Sequence, residues 1–233
     1  MMNTNRGALA AALLLAVLSA DTRAACMDSV VLVHGNAGSP QDFASTVAEL
    51  KRRGYGDAQI HVPAWGSRIC AACNDHYGSE EGPVASALSG ARLQSCSGRI
   101  DVIAHSMGAT LAARQISKLG ISTSVDAFVG IAGAFSGLWT CGTYPFNVPT
   151  STCGAWGLSV ASPMLSTLAS QRFAARAYTL RSWSDQVVCA TSVCTVGGVH
   201  SSTVPGQSAA VTLALGHYGL LTQTAVLQAD LID

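Results

Sequence analysis

Charged side chains are scarce in this 233-residue chain. Asp, Glu, Lys and Arg make up 11% of it, against about 25% in an ordinary soluble domain. There is no excess of either sign, since 13 Lys and Arg balance 13 Asp and Glu. A nucleic-acid-binding chain carries a basic stripe, which this one lacks. An acidic disordered tail is excluded on the same count. No GxGxxG run is present, and no glycine-rich loop ends in Lys-Ser or Lys-Thr. Both signatures of a nucleotide phosphate cradle are therefore missing. Cys70 and Cys73 form a CxxC, but no second CxxC and no His pair completes a zinc site. No metal and no cofactor is expected.

An apolar fraction of 49% is ample for a folded core, which argues against disorder. Part of it lies in the first residues. Met1 to Arg6 is a short basic segment, and Gly7 to Ala20 is an apolar run too short to span a bilayer. Thr22 and Ala24 then stand at the −3 and −1 positions of a cleavage site. Residues 1–24 read as a secretory signal peptide cleaved near Ala24, and residues 25–233 as one catalytic domain. An uncleaved anchor and a lipoprotein signal at Cys26 are the competing readings, and Arg23 is wrong for the second. The expected location is extracellular. All eight cysteines follow this segment, so up to four disulfides are expected in an oxidising compartment. Cys141 with Cys153 and Cys189 with Cys194 are close enough in sequence to pair locally.

The periodicity alternates between strands and helices. Ser29 to Val33 is a β-branched run suited to a strand buried on both faces. Ser39 and Pro40 open a helix carrying Phe43, Val47 and Leu50. Further strands are predicted around residues 60–62, 100–104, 125–131, 177–183 and 210–215. Helices are predicted to open near Pro83, to run from about Ala109 to Leu119, and to follow Gly216 with Leu220, Leu221, Val226 and Leu227. Strands separated by helices imply a mostly parallel sheet with helices on both faces.

Ala104-His105-Ser106-Met107-Gly108 falls between a predicted strand and a predicted helix. That is the setting of a nucleophile elbow, in which a strained turn lifts a serine hydroxyl above the sheet. A serine nucleophile needs a base and an orienting acid, in the chain order Ser, acid, His. Functional groups of parallel sheets gather at the carboxyl ends of the strands. Asp126 begins a strand, and Asp230 and Asp233 lie at the chain's end. Asp185 follows the strand ending at Trp183, so it is the predicted acid. His217 follows the last predicted strand and is the predicted base. His200 is expected in a surface loop. His34 and His105 precede Ser106 and are expected to pack or orient the site. The backbone N–H groups of Met107 and Asn36 are the expected oxyanion donors.

Ala127 to Gln171 contains no Asp, Glu, Lys, Arg or His across 45 residues. It carries Trp139 and Trp156 and follows a strand's carboxyl end. It is either an apolar surface that meets substrate through those tryptophans or a disulfide-tied loop packed inward.

These motifs resemble a known family. Val31 to Gly35, Ile100 to Gly108 and Gly216 to Leu221 are similar to the small secreted bacterial lipases with an AHSMG elbow, the class 2 lipases. The resemblance implies a compact single-domain α/β-hydrolase with a minimal lid or none. It implies a triad of Ser106, Asp185 and His217, and an oxyanion hole at Asn36 and Met107. Where that family commonly has a second glycine after the elbow, this chain has Ala109. Glu49 to Tyr55, Gly137 to Cys141 and Asp185 to Thr191 resemble, in turn, the extracellular depolymerases of native poly(3-hydroxybutyrate). The resulting expectation is a secreted monomeric serine ester hydrolase, a lipase acting on triacylglycerols and long-chain esters, with an extracellular polyhydroxybutyrate depolymerase as the alternative, in peripheral contact with a lipid or polymer surface. A non-catalytic lipid- or polymer-binding relative is the reading from another class.

Overall fold

The computed structural model describes residues 27–233. The expected signal peptide and its cleavage site lie outside the described residues. Six strands form a sheet that is parallel throughout, in the order β10-β7-β4-β3-β1-β2. They are β1 (Ser29–Val33), β2 (Ile60–His61), β3 (Ile100–His105), β4 (Val125–Ile131), β7 (Arg176–Arg181) and β10 (Ala209–Thr212). Between them run α1 (Ala44–Arg52), α2 (Glu81–Gln94) and α3 (Met107–Leu119). A longer insertion holds β5 (Leu138–Thr143), β6 (Ser159–Val160) and α4 (Pro163–Leu168). The hairpin β8 (Thr195–Val196) and β9 (Val199–His200) follows β7, and α5 (His217–Thr222) and α6 (Ala225–Asp230) close the chain.

The strands' two-residue period divides the core. Val31, Val33, Val102, Ala104 and Phe128 pack against Val84 and Leu88 of α2, Leu111 and Ile116 of α3, and Met164 of α4. Val30, Leu32, Ile103, Val129 and Ile131 pack on the other face against Leu50, Leu220, Leu221 and Ala229, from α1, α5 and α6. Every residue of β1 and β3 is buried. This explains why both read as continuous apolar runs rather than alternating ones.

The sheet corrects several expected boundaries. The last strand stops at Thr212 rather than residue 215, and residues 213–216 turn into α5. The expected single C-terminal helix is two short ones, interrupted at Gln223 and Thr224. The helix after Ser106 begins at Met107, directly behind the serine. The insertion between β4 and β7 mixes both readings of the charge-free stretch. Leu138, Cys141, Cys153, Leu158, Met164 and Leu165 join the core beside α3. Phe146 stands 92% exposed.

Among the described residues, disulfides join Cys70 to Cys73, Cys141 to Cys153 and Cys189 to Cys194. The last two are the expected local pairs. No cysteine is free among the described residues.

Candidate active site

Strand order reverses between β1 and β3. From β1 the chain moves outward to β2, then returns to β3 on the other side and continues to β4. The crevice at such a switch point is where parallel α/β sheets place their ligands. Val33 pairs with Ala104, so the loop after β1 and the turn after β3 leave the sheet side by side. A Cβ on Gly35 would sit 3.0 Å from Ser106 Cβ. The loop after β1 therefore passes against the serine at glycine distance.

Ser106 has φ 54° and ψ −132°, a backbone state that costs a non-glycine residue about 1–3 kcal/mol. Its N–H donates to Ile131 O at 2.8 Å, which ties the turn to β4. The strained residue stands at the N-terminus of the 13-residue α3. Unpaired N–H groups and the helix dipole there favour negative charge.

Ser106 Oγ lies 2.9 Å from His217 Nε2. His217 Nδ1 lies 2.8 and 2.9 Å from the two carboxylate oxygens of Asp185. Asp185 accepts only, so Nδ1 carries the proton and donates. Nε2 is then the acceptor that faces the serine hydroxyl. Asp185 and His217 are buried, at 1% and 2% exposure. Burial works against the Asp185 carboxylate, but the hydrogen bond and charge of His217 and the N–H groups of Val188 and Val187 outweigh it. Its pKa lies below the ordinary value. Both backbone groups donate to Asp185 Oδ1, at 2.9 and 2.8 Å. Such a line can move a proton from hydroxyl to imidazole while the carboxylate stabilises the imidazolium.

Neighbours hold His217 from three sides. Gln186 Oε1 accepts its backbone N–H at 2.9 Å. His105 Nε2 lies 3.2 Å from its carbonyl oxygen, and the two rings stand 4.7 Å apart. Burial, with the adjacent His217, pushes the His105 pKa down to about 3, so its neutral Nε2–H donates to that carbonyl. The exposed Tyr218 ring packs against both imidazoles. His34 is held by Trp65, whose indole N–H donates to His34 O at 2.9 Å and whose ring stacks on the imidazole.

Asn36 N–H donates to no protein acceptor among the described residues. Met107 N–H belongs to the first helical turn, which has no intrahelical acceptor. Both residues flank Ser106. Its cleft, about 220 Å³, is lined by Gly35 to Ser39, Asp42, Arg68, His105, Ser106, His217 and Tyr218.

The other sequence-derived candidates lie elsewhere. Trp139 donates its indole N–H to Thr195 O, and Trp156 lies under Arg114 and against Tyr77. Both are 40% exposed, and neither lines the cleft. His200, expected at the surface, is instead buried beneath Trp183 with Nε2 3.2 Å from Ser182 O. Its neighbours Cys189 and Cys194 would complete a three-ligand cluster, but their sulfurs are joined to each other and offer no thiolate. Asp126 pairs with Arg99 and Arg176, and Asp230 and Asp233 pair with Arg53. Sequence reasoning missed Asp42, Arg68 and Gln186. Only Gln186, beside Asp185, carried a positional hint.

The strand order, the strained serine turn and the helix behind it define an α/β-hydrolase fold. Residues 27–230 match the model for lipase (class 2), and the chain belongs to that family. Solved structures show the same fold. Aspergillus fumigatus lipase B superposes with a TM-score of 0.58 at 18% identity, covering 84% of this chain and 49% of that one. This chain thus spans about half the length of the Aspergillus structure. A pyrethroid hydrolase from Sphingobium faniae JZ-2 superposes with a TM-score of 0.54 at 13% identity, covering 88% and 96%. Among curated proteins, none matches this chain.

Proposed function

We propose that the protein is a secreted lipase that works through a serine acyl-enzyme. The observation that carries this is the unbroken line from Ser106 Oγ through His217 to Asp185, with contacts of 2.9 and 2.8 Å. His217 takes the Ser106 proton as Oγ attacks the ester carbonyl. Asn36 and Met107 N–H groups receive the oxyanion, and His217 then protonates the leaving alkoxide. Water, deprotonated by the same imidazole, releases the acid. The disulfides are compatible with an oxidising compartment, which supports the secretory reading of residues 1–24.

The cleft bears on acyl length. Sequence alone led to long-chain esters, but among the lining side chains only the Tyr218 ring offers a large apolar face. The cleft is also smaller than the roughly 300–1,000 Å³ of typical small-molecule sites. Short acyl groups are the proposed preference, and longer chains would lie over the rim. Rates on p-nitrophenyl esters from acetate to palmitate test this, with triolein emulsion and amorphous polyhydroxybutyrate alongside. The expected result is a maximum kcat/KM at or below hexanoate and no turnover by Ser106→Ala. A maximum at palmitate overturns the acyl preference. Polymer clearing without glyceride hydrolysis moves the substrate to polyesters. Full activity of Ser106→Ala overturns the mechanism.

A further inference from the structure

The CxxC loop stands beside the cleft. It joins the segment from Ser67 to Asn74 into a compact turn closed by the Cys70–Cys73 disulfide. Asn74, at its end, is 1% exposed. Its amide nitrogen donates to Asn36 Oδ1 at 2.6 Å and to Ser67 O at 2.9 Å. Its amide oxygen accepts from Ser67 N–H at 2.6 Å. Asn36 in turn donates its side-chain amide to Ala71 O at 3.1 Å. Thr152 Oγ1 lies 2.6 Å from both Ala71 O and Asn74 O, which ties the turn to the insertion.

Every hydrogen bond made by the Asn36 side chain therefore goes to residues 71–74. The Asn36 backbone N–H stays unpaired within the protein beside Ser106. Two amides held in this way have one orientation, because exchanging O and N in either would set oxygen against oxygen.

We propose that Asn74 is a positioning residue for ester hydrolysis: by fixing the Asn36 side chain it aims the Asn36 backbone N–H at the substrate's carbonyl oxygen. The proposal rests on the serine hydrolase reading and on Asn36 as an oxyanion donor. The Cys70–Cys73 turn is the frame that presents Asn74 and Ala71 together.

A double-mutant cycle tests it. Asn74→Ala, Asn36→Ala and the double variant would be compared with wild type on p-nitrophenyl butyrate. Affinity for an alkyl trifluoromethyl ketone, whose hemiketal oxygen occupies an oxyanion hole, would be measured in parallel. Asn36→Ala keeps the backbone donor and removes only its tether. Each single variant is expected to lose about 10- to 100-fold in kcat, the scale of a misplaced catalytic group, with KM within about twofold. The ketone Ki should rise by the same factor. The double variant should lose no more than the worse single, because both remove one constraint. The isosteric Asn74→Asp sets oxygen against Asn36 Oδ1 and should behave alike, which keeps the test open if the alanine variant fails to fold. Unchanged kcat in a folded Asn74 variant, or losses that multiply in the double variant, overturns the proposal. Labelling of wild-type Ser106 by a phosphonate ester separates the two levels. Labelling with unaffected Asn74 variants overturns this inference alone, and failure to label overturns the hydrolase reading with it.

Discussion

Gly108→Ala should cripple catalysis more than it destabilises the fold. Gly108 is the second residue of α3, and it packs directly under the backbone that leaves β1. A Cβ placed on it would lie 2.7 Å from Val33 O and 2.9 Å from the His34 carbonyl carbon, with His34 O closer still. All three neighbours are main-chain atoms, so no rotamer change relieves the clash. Ordinary non-bonded carbon contacts begin near 3.5 Å, so the β1 loop and the head of α3 must part by about 1 Å. Overpacking of this kind costs about 1–3 kcal/mol, or roughly 2–12 °C in Tm for a domain of this size. The catalytic cost follows from what the two segments carry. Asn36 lies two residues beyond His34, and Met107 lies one residue before Gly108, so separating them widens the proposed oxyanion hole. A misplacement of about 1 Å costs on the order of 10²-fold in rate, and loss of one donor about 10²–10³-fold. Gly137→Ala serves as the control. Its Cβ would meet Val160 backbone atoms at 2.7 Å at φ +95°, but Gly137 does not line the cleft. The assay is kcat on p-nitrophenyl butyrate alongside Tm. Gly108→Ala should lose about 10²-fold or more in kcat, and Gly137→Ala should lose stability with kcat kept within about threefold. Retained kcat in a destabilised Gly108→Ala, or equal losses in both variants, would refute the reasoning.

Other consequences are open to measurement. Asp185→Asn should lower kcat by about 10⁴-fold while the protein stays folded, because the amide holds the wrong His217 tautomer; a loss under tenfold contradicts the assigned role. Asp101 is buried at the start of β3, and burial, with Asp126 nearby, raises its pKa from 3.8 to about 7 against the hydrogen bond from Ala127 N–H. A carboxyl whose folded pKa is raised favours the fold while protonated, and that contribution is lost as pH rises from about 4 to 7. Between pH 5 and pH 8 wild type should therefore lose about 2–3 kcal/mol relative to Asp101→Asn; urea midpoints that stay parallel across this range would contradict the assignment. Gly90 lies inside α2 with open space where a Cβ would go, so Gly90→Ala should stabilise by about 0.5–1 kcal/mol, and a lowered Tm would count against the helix packing. Alanine at both Trp139 and Trp156 should leave kcat on soluble short esters unchanged, since neither ring lines the cleft; a selective loss on emulsified esters would give these residues a surface-binding role.

The parts of the molecule legible from sequence are those where one residue type answers to one physical demand. β1 and β3 are buried on both faces, so their apolar runs could only be central strands. The serine turn announced itself through small residues between strand and helix, and its positive φ is the strain they accommodate. Chain order and strand polarity singled out Asp185 and His217, and the structure joins both to Ser106 in one line of hydrogen-bond contacts while the competing aspartates stand in ion pairs away from the cleft. The short strands of the insertion and the hairpin were invisible. Two residues each in β6, β8 and β9 leave no period to read. His200 misled because its Gly- and Ser-rich surroundings resemble a surface loop, whereas Trp183 and the Cys189–Cys194 bridge fold over it. Asn74 could not be singled out at all. Its role depends on a partner 38 residues earlier, and asparagine after a CxxC is an ordinary turn residue.

The most direct test of the account is the intact mass of the purified protein after incubation with a p-nitrophenyl alkylphosphonate. The account predicts a single phosphonyl adduct on the peptide containing Ser106, activity lost in step with its formation, and no adduct on Ser106→Ala. A folded wild-type protein that hydrolyses esters without acquiring the adduct, or an adduct that persists in Ser106→Ala, would contradict it.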